Sequence, residues 1–273
     1  MFIRHQSAIQ VGLCYRPQHI DVLWFDSQNQ AQFLQCSELD LLTLSSTLNQ
    51  KLNQSPRRAN YKFITAIMPQ HIWQKSLILP HNLNTLECEQ QCHFTLTHEL
   101  PIPLEEVWYD YTAMPLKQGF RLDIFAIRQQ IAKNYLNQFI PLQIDVLDSV
   151  AKAVLRASEY ILEQPLPIDA LVLFQDESGA LAIHQKRQQT QTLFQTDGNL
   201  TALFEQYCQR YDEKPEKVFY YSTESTPHIA ADWVEINTSL PFIALGNALW
   251  QQETLQKSTA LFDVKAPSLE KMT

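Results

Sequence analysis

LPHNLNTLECEQQCHFTLTHELPIPLEEVWYDYTAM, residues 79–114, is the stretch from which the rest of the chain can be read. It opens on a turn at Pro80-His81-Asn82. A helix is expected from about Asn84 to Leu100, with Asn84 or Thr85 as its cap and Glu87 and Glu89 in the first turn, where the helix dipole favours anions. Cys88, Cys92, Leu96 and Leu100 fall on one face at every fourth position and supply its apolar stripe. Pro101 stops the helix, and Ile102-Pro103 stays extended because a residue before proline avoids the α region. Val107 to Ala113 then reads as an aromatic-rich strand, with Trp108 on one side and Tyr109 and Tyr111 on the other.

Outward from this stretch, the N-terminal part reads β-β-β-α-β. Strands are expected at Ala8–Cys14, Ile20–Phe25 and Gln32–Cys36, with a polar turn at Asp26-Ser27-Gln28-Asn29. Ser37 caps a helix whose face is made by Leu39, Leu41, Leu42, Leu44, Leu48 and Leu52, and Gln54-Ser55-Pro56 ends it. Strands follow at Tyr61–Met68 and Ile72–Leu79. Beyond the quoted stretch come a strand at Arg121–Arg128, a helix at about Gln129–Phe139 and a strand at Leu142–Leu147. Asp148 or Ser149 then caps a helix to Leu162, with Pro165 and Pro167 as the boundary. From Ala170 the first order returns: strands at Ala170–Phe174, Ala180–His184 and Thr190–Phe194, a helix after the cap Asp197-Gly198-Asn199 carrying Leu200, Leu203, Phe204 and Tyr207, and a strand at Val218–Tyr221. The domains expected are 1–164, with an inserted subdomain at about 70–140, and a second, reduced unit at 165–273.

Composition limits the chemistry. The 273 residues are 45% hydrophobic and 18% charged, with a net charge of −8 and a pI near 5.5. A chain this acidic is a poor ligand for nucleic acid through its overall field, and Arg57-Arg58 and Lys186-Arg187 read as solvated loop ends. No apolar run approaches the ~20 residues of a spanning helix, and the first residues lack the apolar core of a signal peptide. A cytoplasmic protein is expected. The five cysteines, Cys14, Cys36, Cys88, Cys92 and Cys208, suit reduced buried thiols. The five glycines, Gly12, Gly119, Gly179, Gly198 and Gly246, are too far apart for a phosphate loop, which needs glycine where backbone amides wrap an anion.

Leu100-Pro101, Pro103-Leu104-Glu105-Glu106-Val107 and Asp110-Tyr111 together resemble a motif of the PilM-type proteins of type IV pilus assembly, close to the competence, or ComA-like, members of Gram-negative bacteria. Asp123–Arg128, LQIDVLDSVA at 142–151 (Asp148 at the family's aspartate) and PFIALGNALW at 241–250 resemble later segments of that family. The resemblance covers most of the chain. It implies an α/β, actin-like (ribonuclease H-like) fold with duplicated β-β-β-α-β units, an insertion in the first half and a reduced second half.

It also implies a role: a cytoplasmic adaptor at the inner membrane, holding the cytoplasmic tail of a single-pass PilN-like protein in a type IV pilus or DNA-uptake complex. Membrane association would come through that partner alone, with no direct nucleic-acid contact and with self-association open. The family groove would lie between the Ala8–Met68 layer with the helix Asp148–Leu162 and the segment Ile72–Gln138. Trp108, Tyr109, Tyr111, Ile102 and Phe94 are the candidate partner-binding residues.

The alternative is an actin-like ATPase, for which the resemblance implies two phosphate hairpins carrying aspartate and glycine. In Val11–His19 Gly12 is kept, but Cys14 stands for aspartate and Arg16 for glycine. In LVLFQDESG Phe174 stands for aspartate and Asp176 for glycine. Gly246 matches the adenosine side. With these positions replaced, no catalytic residue and no bound cofactor are expected, ATP with magnesium being what the alternative would bring. Two further readings stay subordinate. Cys88, Cys92, His93 and His98 have zinc-ligand chemistry, but the cysteines fill the helix stripe. A ribonuclease H-like hydrolase would need Asp21, Asp123, Asp148 and Asp169 to converge. Glu99, Glu105 and Glu106 read as an exposed rim.

Overall fold

The structure is a computed structural model that describes residues 8–52, 60–186, 190–196, 199–224 and 229–250. Gln54-Ser55-Pro56, Arg57-Arg58, Arg187, Asp197-Gly198 and the polar tail expected from about Lys257 lie outside the described residues.

Two five-stranded sheets with the same topology form the frame. In the first, β1 (Ile9–Tyr15), β2 (Ile20–Phe25) and β3 (Ala31–Cys36) make an antiparallel meander. β4 (Tyr61–Ile67) pairs parallel to β1, and a short strand at Val146–Ser149 pairs parallel to β4. The helix between β3 and β4 is α1 (Leu44–Lys51). The duplicated order expected from the pattern is therefore present in the first half.

The insertion consists of β5 (Trp73–Leu79), α2 (Thr85–Glu99), β6 (Val107–Pro115), β7 (Phe120–Arg128) and α3 (Gln129–Leu136). Its three strands form a separate antiparallel sheet ordered β5-β7-β6. α2 starts where its sequence says: the Asn84 side chain accepts from the Glu87 amide, and the Glu87 carboxylate accepts from the Asn84 amide, a reciprocal cap. The strand at Val146–Ser149 is β8. It leads through the N-cap Ser149 into α4 (Val150–Leu162), which ends at Glu163 in a left-handed conformation.

The second half repeats the frame. β9 (Leu171–Asp176), β10 (Gly179–Gln185) and β11 (Thr190–Gln195) form the meander, and α5 (Leu200–Tyr211) begins at Asn199, whose side chain caps the Ala202 amide. β12 (Val218–Ser222) is parallel to β9, and a two-residue β13 (Val234–Glu235) closes the sheet. The strand orders, β3-β2-β1-β4-β8 and β11-β10-β9-β12-β13, match element for element. The last described element is α6 (Phe242–Ala248). This is the actin-like fold.

Strand periodicity sorts the cores. Val11, Leu13, Val22 and Trp24 face Leu41, Leu44, Leu48 and Phe139, whereas Leu23 and Phe25 face inward. Leu171 and Leu173 pack on α5, whereas Val172 and Phe174 face inward. Between the two sheets α4 and α6 fill the central layer with Val150, Val154, Ala157, Ile243, Ala244 and Leu249.

Two local expectations are corrected. The helix after Ser37 is split into a 3-10 turn at Glu38–Leu42 and α1, because the Thr43 amide bonds back to Asp40. Leu39 and Leu42, three apart and so aligned on a 3-10 turn, are exposed, and only Leu41 turns inward. The strand expected from Leu142 begins at Val146. Asp145 instead accepts from and donates to the backbone of Phe63, and Leu142 and Ile144 pack beneath the first sheet.

Candidate functional site

Two regions gather the residues singled out by sequence. The first lies where the β1–β2 and β9–β10 hairpins meet. Arg16, in the first turn, donates from Nη1 to Asp176 Oδ2 at 2.5 Å and to Glu177 Oε1 at 2.9 Å in the second turn. Its Nε reaches Asp21 Oδ2 at 3.5 Å. Asp21 Oδ1 is also 3.1 Å from His19 Nε2 and accepts from Gln35 at 3.2 Å. The other oxygen of Asp176 accepts from the Ser178 amide at 2.9 Å and from its hydroxyl at 2.5 Å. The Arg16 side chain is 12% exposed and that of Asp176 3%.

Beneath this cluster the site is apolar. Cys14 is buried, and burial pushes its thiol up to about 12 against the opposing pull of Arg16. Phe174 stacks on Tyr221 with ring centroids 5.6 Å apart, and Tyr221 packs on Phe242 at 4.2 Å. The positions that the resemblance assigns to metal carboxylates thus present a neutral thiol and a phenyl ring. A phosphate group placed at Arg16 would meet the carboxylates of Asp176 and Glu177.

Gly12 and Gly246 serve packing in this structure. A Cβ on Gly12 would stand 2.0 Å from the Ala244 carbonyl oxygen of α6, and one on Gly246 would stand 2.0 Å from the Ala153 carbonyl oxygen of α4. The missing side chains let β1, α6 and α4 touch backbone to backbone. Asn247 ties the same contact with a 2.9 Å bond to the Leu13 carbonyl, and Arg156 bridges the Gly246 carbonyl and Asp148 at 2.8 and 2.6 Å.

The second region is the insertion. α2 covers one face of its sheet through Cys88, Cys92 and Leu96 against Val107, Leu122 and Ile124, with Tyr111 and Ile102 packed at the edge. The opposite face turns Trp108 and Ile127 toward Ile67, Ala132 and Leu147. On that same side Lys152 of α4 sits over the Phe125 ring at 4.5 Å, and burial lowers its ammonium to about 8 against the pull of Asp148. Much of the space between the first unit and the insertion is therefore filled.

An open groove lies on the other side of α2. It has a volume of about 460 Å³ and is lined by Leu86, Glu89, His93, Phe94, His98 and Tyr109, among others. Leu86 is 62% exposed and Phe94 58%. Leu86, Gln90, Phe94, Thr97 and His98 recur at helical spacing on the side of α2 away from its stripe. The His98 ring packs on Phe94 at a tilt of 35° with centroids 4.2 Å apart, its Nδ1 2.8 Å from the Phe94 carbonyl. Burial, then Cys92 and Glu89, raises the Tyr109 phenol.

Of the five partner candidates, Phe94 and Tyr109 meet in this groove, Tyr111 and Ile102 belong to the insertion core, and Trp108 lies on the far face. Leu86 was not singled out, and His93 and His98 were weighed only for metal chemistry. Their signal was the second, outward apolar line of α2, hidden behind the stronger cysteine stripe. Cys88 and Cys92 point inward, and His93 and His98 outward, so the four do not converge. Asp21, Asp123 and Asp148 are each held by an arginine, Arg16, Arg121 and Arg156 respectively, in three separate places. Glu99 pairs with Lys75 at 3.0 Å on the surface, and Glu105 and Glu106 are exposed in a single 3-10 turn.

No protein-family model matches the chain, and no curated protein matches it. Solved structures do. The cytoplasmic domain of EpsL, an inner membrane component of the type II secretion system of Vibrio cholerae, superposes with a TM-score of 0.57 at 11% identity, over 90% of this chain and 95% of that one. A PilM-PilN type IV pilus biogenesis complex gives 0.51 at 15% identity, over 78% and 81%. At these identities the likeness is one of fold.

Proposed function

We propose that this chain is a scaffold of an inner-membrane pilus, DNA-uptake or secretion assembly, and that the groove on α2 receives the cytoplasmic tail of a PilN-like membrane protein. The exposed line Leu86–Phe94–Tyr109 carries this reading. An insertion with its own core still leaves three large apolar side chains open beside Glu89, the kind of surface on which a short amphipathic segment seats alternate or helical anchors. Among the described residues no helix is long and apolar enough to cross a membrane, so attachment through a membrane-anchored partner fits. One of the similar structures is a complex of PilM with PilN. The scaffold does not hydrolyse ATP: the hairpins present Cys14 and Phe174 where metal carboxylates would be needed, and Arg16 is engaged by acids of the same chain.

Thermal unfolding of the full chain tests the reading, alone, with millimolar ATP and magnesium, and with the cytoplasmic tail peptide of a PilN-like protein. A ligand that binds only the folded state adds about 2.7 kcal/mol at a hundredfold excess over its Kd. A shift with peptide and none with ATP is expected. A shift with ATP alone overturns the proposal.

A further inference from the structure

We infer that Arg16 with Asp176 and Glu177 is an internal latch that fixes the two halves of the chain in one mutual orientation, the chain supplying its own anion between the hairpins. The inference does not depend on the pilus reading or on the groove.

The geometry carries it. The cation comes from the β1–β2 turn and the anions from the β9–β10 turn, 160 and 161 residues away. These are the corresponding turns of the two repeats, so the pair joins the halves at equivalent points. Asp176 is aimed before the contact forms, because the Ser178 amide and hydroxyl hold its other oxygen. Arg16 is oriented from its own side by Asp21. One guanidinium thus faces three carboxylates, and an incoming anion would have to displace two of them while being repelled by all three. Beneath them Cys14 and Phe174 are buried and Phe174 stacks on Tyr221, so the floor brings no second cation to an incoming anion. Separating the halves takes Asp176 and Glu177 from Arg16, leaving it only the 3.5 Å contact with Asp21, and leaves the nearly buried Asp176 without its cation, an unfavourable state for a broken pair. The hairpins therefore stay together without a ligand between them.

Hydrogen–deuterium exchange on the full-length chain, read by mass spectrometry, tests this through reciprocity. Arg16→Gln is expected to speed exchange at residues 176–180 as well as 15–20, and Asp176→Asn with Glu177→Gln to speed it at 15–20 as well as at 176–180. The reversed pair, Arg16→Asp with Asp176→Arg, is expected to return part of the protection to both turns. Glu177→Gln alone is the mild arm should the others not fold: its side chain is 48% exposed, and it is expected to raise exchange at 15–20 by a smaller factor. Variants that each loosen only their own turn overturn the latch. So does added protection of both turns in the unmodified chain by millimolar pyrophosphate at constant ionic strength, since that would show Arg16 free to take an outside anion.

Discussion

The α-carbon of Gly12 on β1 lies under the carbonyl of Ala244 on α6, so close that a methyl group would stand 2.0 Å from the oxygen. The neighbouring atoms are backbone and cannot rotate aside. Gly12→Ala is expected to destabilise the protein by about 2–3 kcal/mol, the upper part of the overpacking range. Gly246→Ala, against Ala153, should act similarly. The double variant should lose at least the sum, because α6 lies between β1 and α4 and the two added methyl groups push it in opposite directions. Urea midpoints at constant slope measure all three.

Phe94→Glu and Trp108→Ala should separate binding from folding. Phe94 is open in the groove, so its replacement should leave the unfolding midpoint within about 0.5 kcal/mol. It should weaken the tail peptide at least 30-fold, about 2 kcal/mol, as loss of a central anchor does. Trp108 packs with Ile67 and Leu147 on the far face. Its truncation should cost about 1–3 kcal/mol of stability and leave the peptide Kd unchanged. Peptide anisotropy titrations beside urea melts read both.

Asn84→Ala should fray α2 from its start. The side chain holds the Glu87 amide at 3.0 Å, and losing such a cap costs about 1 kcal/mol. Exchange at the first-turn amides should rise while the frame sheets are unaffected.

His184 predicts a pH dependence. It is fully buried on β10, with Nδ1 2.6 Å from the Tyr207 hydroxyl, which itself donates to Gln191 at 2.7 Å. Burial lowers its imidazole below the ordinary value near 6.5. The unfolded chain then binds a proton that the folded chain refuses. Stability therefore falls as pH drops through about 6.5 and stops falling once pH is below the folded value. Urea midpoints at about pH 7.5 and about pH 5 should differ more for the natural chain than for His184→Gln.

The frame was legible because its signals are local. The apolar runs at Ile20–Phe25 and Ala170–Phe174, the Asn84 and Asn199 caps and the hairpin at Glu177-Ser178 each act over a few residues; the first strand stands where the sequence put it, and the second runs from Leu171 to Asp176. The misplaced elements turned on tertiary partners. Leu39 and Leu42 looked like helix face until Asp40 and Thr43 tightened the turn. Leu142 and Ile144 owe their apolar character to the layer below, not to a ladder. At the candidate sites, periodicity put Trp108 and Tyr109 on opposite faces but could not say which face α2 would cover. Cys14, Arg16, Phe174 and Asp176 could be read as replacements, yet nothing local announces that Arg16 meets Asp176. That pairing exists only because two repeats bring equivalent turns together.

The bond from Asn247 to the Leu13 carbonyl spans 234 residues. During synthesis, at roughly 5–20 residues per second, β1 waits on the order of ten to fifty seconds for the helix that covers it. Until then Cys14, Leu23 and Ala66 lack the α6 side of their core. The lobe made first is thus completed last. A ribosome stalled before Pro241 would display an apolar sheet face, and the nascent chain is most exposed to aggregation and to chaperone capture in that interval.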